Sequence, residues 1–155
     1  MPYRIIAILI GLVLLGVGAP QAAESGLDRY LTGFDYAARK EMKIDSKALI
    51  QLMKEGKVQL VDIRFEEEYA TWKVNPSINI PLDELPKRLQ EIDQTKLVVT
   101  VCPHKDRATI AMVYLRAQGI EAKYLTDGLT GLVENLRGDA AKELVDALAA
   151  RNQSH

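Results

Sequence analysis

The sequence predicts an α/β domain: a three-layer parallel sheet with helices on both faces. Three observations carry that prediction. Short apolar, β-branched runs alternate with segments of helical period from about residue 42 onward, the pattern of a parallel sheet with right-handed crossovers. The runs are apolar at successive positions, as in Leu97-Val98-Val99-Thr100-Val101, which suits strands covered on both faces. Helix stop and start signals fall between them, such as Asp45 or Ser46 before one apolar stripe and Gly56 after it.

Residues 1–23 read as a signal peptide or N-terminal anchor. Arg4 is followed by an uncharged apolar stretch over 5–19, and an Ala-rich polar zone begins near Gln21; charge, then apolar, then small is the secretory order. The stretch is short for a spanning helix, which needs about 20 residues. The expectation is an exported, periplasmic protein, held at a membrane only if this segment stays uncleaved. The other reading, a buried N-terminal helix, is opposed by Gly11, Gly16 and Gly18.

Residues 24–44 read as a lead-in helix, with Leu27, Tyr30, Leu31 and Phe34 on one stripe. A single domain is then expected over 45–150. Residues 42–45 suggest a short edge strand, followed by a helix carrying Leu49, Leu52 and Met53. The run 58–63 is a buried strand by composition. A short helix over 66–72, acidic at its start as the helix dipole prefers, precedes Pro76. Residues 77–80 form a short strand stopped by Pro81, and Leu85, Leu89 and Ile92 mark a helix capped near Asp83. The strand 97–101 leads to a helix whose expected buried face is Ile110, Val113, Tyr114 and Ala117. A fifth strand over 122–125 ends in an Asp127-Gly128 turn. Leu129, Leu132, Val133 and Leu136 give another apolar face, and Gly138 separates it from a last helix through Ala141, Leu144, Val145 and Leu148. The tail, 151–155, is polar and expected to fray.

The chain has 155 residues and a net charge of -1. That length suits one domain, and the charge leaves no basic footprint for nucleic acid. Neither a metal-ligand cluster nor a Gly-rich nucleotide loop is present, so no metal and no cofactor are implied.

The chemistry is expected at Cys102, the one cysteine, where the 97–101 run ends and a polar turn opens a helix. Ligands of open parallel sheets bind at strand carboxyl ends, and a helix's first turn offers free N–H groups to an anion. A thiol facing them is expected to ionise more readily. Lys105 and Arg107 add positive charge, and His104 can add more. The plain alternative is a buried thiol acting as a small hydrophobe. An unpaired cysteine in an exported protein favours the reactive reading, since such proteins mostly keep cysteines in disulfides.

Several segments together resemble the rhodanese-like domains, single-cysteine sulfurtransferases, from about residue 45 to 136. Leu60-Val61-Asp62-Ile63-Arg64 resembles the family's Asp-x-Arg strand end. Glu68-Tyr69 followed by Ile78-Asn79-Ile80-Pro81 resembles its next block, and Cys102-Pro103-His104-Lys105-Asp106-Arg107 its active-site loop, usually Cys-x-x-Gly-x-Arg-Ser. Leu115-Arg116-Ala117-Gln118-Gly119 and Asp127-Gly128 resemble the closing helix and the last turn. The chain departs from that pattern at Lys105 in place of Gly, at Ala108 in place of Ser, and at Trp72-Lys73-Val74-Asn75-Pro76 in place of Gly-His-Ile-Pro-Gly. Pro103 removes one N–H from the loop, and Lys105 is strained if its φ is positive.

The resemblance implies a sulfurtransferase that moves a sulfane sulfur from thiosulfate, or a related small anionic donor, to a thiol or cyanide-like acceptor through a Cys102 persulfide. Arg107 is expected to bind the donor with its planar fork, assisted by Lys105 and His104. The backbone of Pro103, Asp106 and Ala108 shapes the loop, with Asp106 starting the helix as a dipole-favoured acid. Asp62 and Arg64 are expected to be a structural ion pair at the rim, and Trp72 a packing residue under the loop. Two alternatives belong to other classes: a non-enzymatic sulfur carrier or binding module that serves a redox or sulfur-relay partner, and a cysteine phosphatase or arsenate reductase. The fold also carries cell-cycle-control phosphatases with a Cys-x5-Arg loop. The Cys-x4-Arg spacing here makes a smaller pocket, suited to a sulfur atom more than to a phosphoryl group.

Overall fold

A computed structural model describes residues 24–153. The signal or anchor segment expected over 1–23 lies outside the described residues, and among those described no helix is long and apolar enough to cross a membrane. Five parallel strands form one sheet in the order β1-β5-β4-β2-β3: β1 (Lys43–Ile44), β2 (Val58–Asp62), β3 (Ser77–Asn79), β4 (Leu97–Val101) and β5 (Ala122–Leu125). The helices are α1 (Gly26–Thr32), α2 (Tyr36–Glu41), α3 (Ser46–Glu55), α4 (Glu66–Thr71), α5 (Asp106–Ala117), α6 (Gly128–Asn135) and α7 (Asp139–Asn152).

β4 lies at the centre of the sheet and explains the continuous apolar run. Successive side chains of a strand point to opposite faces. Val98 and Cys102 therefore join a core layer with Ala108, Ala111, Met112 and Leu115 of α5. Val99 and Val101 join a second layer with Leu49 and Met53 of α3, Leu129 and Leu132 of α6, and Leu144 of α7. Each fully buried Leu, Ile or Met contributes about 1.5–3 kcal/mol of transfer free energy, so both layers stabilise the sheet that presents Cys102.

The local signals act as their chemistry dictates. Asp45 caps α3 by accepting from the Ala48 N–H at 2.9 Å, and Gly56 ends it in the left-handed region at φ 71°. Three expectations need correction. The helix expected around Leu85 and Leu89 is a pair of 3-10 turns, Leu85–Lys87 and Leu89–Glu91; no side chain caps the first turn, and Pro86 disfavours the α conformation at Leu85 before it. The fully buried face of α5 is Ala108, Ala111, Met112 and Leu115; of the expected stripe, Val113 and Tyr114 pack half-buried against the core and Ile110 is 58% exposed. Both stripes have helical spacing, and the sheet takes the one with small residues that let the helix approach closely. The last helix also runs further than expected: α7 extends through Arg151 to Asn152, and Arg151 donates from Nη1 to the Met53 carbonyl at 3.4 Å.

The lead-in region is two short helices, α1 and α2. Tyr30 reaches Met112 of α5, its hydroxyl 3.9 Å from the sulfur. Leu27, Leu31 and Phe34 remain over two-fifths exposed, so only part of the expected stripe is covered.

Candidate active site

The parallel register brings the ends of β2, β4 and β5 to one edge of the sheet. Asp62 is paired with Val101 there. Cys102 follows directly and is fully buried, and the exposed His104, Lys105 and Asp106 lead into α5.

Two sets of contacts hold the loop. From the β5 side, the first turn of α6 uses N–H groups that no helical carbonyl can satisfy. Leu129 N–H donates to the Cys102 carbonyl at 2.9 Å and Thr130 N–H to the Pro103 carbonyl at 3.3 Å, with Thr130 Oγ1 adding a bond at 3.0 Å. This close approach needs Gly128, at φ 64°: a Cβ there would overlap the carbonyl oxygens of Pro103 and His104 and lie 2.6 Å from His104 Cα. From within the sheet, Thr100 Oγ1 donates to the Ala108 carbonyl at 2.8 Å and pins the first turn of α5 to β4.

With the loop carbonyls drawn towards α6, the N–H groups of His104 and Ala108 hydrogen-bond Cys102 Sγ. These favour the thiolate. Burial opposes them more strongly, and the Asp106 carboxylate opposes them too, so the thiol is pushed above its ordinary value. The sequence-based expectation of a thiol that ionises more readily is therefore corrected: the helix and loop N–H groups are present, but desolvation outweighs them. Asp106 opens α5 as expected, and its carboxylate also accepts from the Cys102 thiol, Oδ1 lying 3.6 Å from Sγ. N–H groups of Arg107 and of Asp106 itself hold that carboxylate below its ordinary value.

Arg107 reaches back over the loop to α4. Its Nη1 and Nη2 donate to Glu68 at 2.6 and 2.9 Å, a fork-to-fork pair. Glu68 Oε2 also accepts from the Phe65 N–H at 3.2 Å. Arg107, ahead of its other contacts, pulls the Glu68 carboxyl below its usual range. The Arg107 guanidinium carbon lies 5.8 Å from the Phe65 ring centroid. Of the five N–H groups of a guanidinium, two face Glu68. The side chains of His104 and Lys105 form no ion pair among the described residues and face solvent. Lys105 has φ -150°, so the Lys-for-Gly departure carries no left-handed strain.

Asp62 and Arg64 form a wholly buried pair beneath this site. Arg64 Nη2 lies 2.6 Å from Asp62 Oδ2, and Nε adds bonds of 2.9 and 3.0 Å. Nη2 also donates to the Trp72 carbonyl at 2.7 Å and Nη1 to the Glu68 carbonyl at 3.3 Å. The guanidinium carbon sits 4.3 Å from the centroid of the Trp72 ring. Trp72 thus packs on Arg64, and the pair holds carbonyls in the middle and at the end of α4, the helix from which Glu68 meets Arg107.

Sequence reasoning gave Glu68 no site role and gave Asp106 only a backbone one. Glu68 lies 39 positions from Arg107, and only the acidic first turn of α4, set against a cationic loop, hinted at the pairing. The contact of Asp106 with the thiol was masked by its equally sound role as the first residue of a helix.

The family model of the rhodanese-like domain matches residues 45–135. The chain is 34% identical over 97 residues to a sulfurtransferase of Allochromatium vinosum, covering 62% of this chain and 81% of that protein. It is 33% identical over 110 residues to the HTH-type transcriptional regulator Rv0324 of Mycobacterium tuberculosis, covering 70% of this chain but only 49% of the regulator. Among solved structures, a rhodanese-like domain protein from Staphylococcus aureus superposes with a TM-score of 0.55 at 30% identity, covering 58% of this chain and 89% of that one. With one cysteine at the end of the central strand, a four-residue spacing to Arg107, and a family match over most of the described residues, the chain belongs to the rhodanese-like domain family.

Proposed function

We propose that this protein is a sulfurtransferase that carries a sulfane sulfur on Cys102, taking it from thiosulfate or a related anionic donor. The observation that carries the reading is the placement of Cys102 Sγ against the N–H groups of His104 and Ala108 in a compact loop. Such N–H groups stabilise a thiolate and then a persulfide anion without solvent reorganisation.

The chemistry is covalent and has two steps. The Cys102 thiol loses its proton to solvent, and the thiolate attacks the outer sulfur of the donor. A new S–S bond forms, the S–S bond of thiosulfate breaks, and sulfite leaves with its electron pair. An acceptor thiolate or cyanide then attacks the outer sulfur of the persulfide, and Cys102 leaves as thiolate. In this reading Arg107 meets the donor through the N–H groups not turned to Glu68, and Lys105 adds a mobile positive charge at the mouth.

The complete burial of Cys102 and its raised thiol favour a second reading, a sulfur carrier that loads slowly and discharges to a protein partner. Intact mass of the wild type and Cys102→Ser, before and after thiosulfate and then cyanide, separates the readings. A gain of one sulfur atom, absent in Cys102→Ser and removed by cyanide with repeated turnover, supports the enzyme. A stable loaded mass without turnover supports the carrier. No gain in the wild type overturns both.

A further inference from the structure

We propose that Asp106 sets the donor class of this site: its carboxylate discriminates against dianionic sulfur donors and leaves monoanionic donors with an organic group, such as organic thiosulfonates, as the better-matched class. The proposal rests on Cys102 being the persulfide-forming residue. Asp106 Oδ1 is 3.6 Å from Cys102 Sγ. Cys102 is fully buried, whereas His104, Lys105 and Asp106 are exposed, so a donor that brings its outer sulfur to Sγ comes in past the loop and beside this carboxylate. Asp106 makes no ion pair among the described residues, and the positive charge of Arg107 is already matched by Glu68 at 2.6 Å. His104 and Lys105 are as exposed as Asp106, but of the three side chains it is the Asp106 carboxylate that is placed against Sγ, at 3.6 Å.

At roughly 6 Å and an effective permittivity of about 40, each negative charge on the donor is disfavoured by about tenfold. Thiosulfate carries two such charges and an organic thiosulfonate one, so Asp106 opposes thiosulfate by about tenfold more. A second feature provides for the organic group. A groove of about 540 Å³ begins at Lys105 and Asp106 and runs along Ile110, Val113 and Tyr124, and Ile110 is 58% exposed there. The step balances as it does for thiosulfate: the Cys102 thiolate bonds to the outer sulfur, the S–S bond of the thiosulfonate breaks, and the sulfinate leaves with the electron pair.

The test compares rates of Cys102 persulfide formation, by intact mass of the full chain, with thiosulfate and with benzenethiosulfonate. Wild type, Asp106→Asn and Asp106→Glu are measured with both donors. The donor ratio within each protein cancels thiol ionisation, which Asp106 also affects, and comparing proteins cancels the donors' intrinsic reactivities. Asp106→Asn is expected to move the ratio about tenfold towards thiosulfate, with the shift shrinking as salt rises. Asp106→Glu, which keeps the charge, is expected to retain the wild-type ratio. Asp106→Ser gives the same reading should Asn disturb the loop. A ratio unchanged within about twofold in both neutral variants, with persulfide forming normally, overturns the assignment of Asp106. Failure of both donors to load any form overturns instead the persulfide reading on which it rests.

Discussion

Gly128→Ala tests whether the α6 turn shapes the thiol loop. The substitution acts twice. At φ 64° an alanine is held in the left-handed region, which costs about 1–2 kcal/mol. Its Cβ would also lie 2.6 Å from His104 Cα, against an ordinary carbon–carbon approach of about 3.5 Å. The loop or the turn must therefore yield by roughly 0.9 Å, and overpacking of that kind costs a further 1–3 kcal/mol or so. Together the variant should lose about 2–5 kcal/mol in urea unfolding. Since His104 supplies one of the N–H groups at Sγ, a displacement of about 1 Å should slow persulfide formation by on the order of a hundredfold. Gly119→Ala is the control: its φ is 80°, but no atom lies within 4 Å of the added Cβ. It should show the backbone cost alone and load sulfur at the wild-type rate. The measurements are the urea midpoint and the time course of intact mass with thiosulfate. Loading by Gly128→Ala within threefold of wild type would refute the reasoning, because the loop would then not depend on the close approach of α6.

Two further outcomes follow from the buried charges and the thiol. Asp62→Ala leaves the Arg64 guanidinium buried without its carboxylate and should cost about 3–5 kcal/mol, whereas replacing both partners, Asp62→Leu with Arg64→Met, should cost less than the single change. A urea midpoint showing a loss under about 1 kcal/mol for Asp62→Ala would contradict the burial argument. For the thiol, burial first and then Asp106 place Cys102 above the ordinary value, so the reactive thiolate is the minor species at neutral pH and grows as pH rises. Alkylation of Cys102 by iodoacetamide should climb about tenfold per pH unit across neutrality and not level off by about pH 8.5, the ordinary thiol value; a plateau at or below pH 7 would show that the loop N–H groups prevail over desolvation.

The layered fold was legible because its two longest strands, β2 and β4, are read from composition. Val58–Asp62 and Leu97–Val101 are apolar on both faces, and Asp45 and Gly56 bracket α3 as their capping chemistry requires. The face of α5 was not legible: Ile110 and Ala111 both begin apolar stripes, and only the closeness of the sheet selects the one with the smaller side chains. Cys102 and the reach of its loop could be located because the chemistry is local, four residues from thiol to guanidinium. The state of that thiol could not be read in the same way. It is decided by burial under α5, by the turn of Asp106 towards sulfur, and by Glu68, which takes up the Arg107 fork from across 39 positions of chain.

The sheet also has a bearing on how copies of this protein meet. Its outer strands are its shortest, two residues in β1 and three in β3, and Pro76 and Pro81 flank β3 closely. A long bare strand is a template on which another chain can add its own backbone and begin a growing stack. Here an incoming strand would find two or three residues to pair with and then run out of ladder. Among the described residues, the sheet's backbone therefore offers little foothold to another copy, and contacts between copies there fall to side-chain surfaces, which can be tuned one residue at a time.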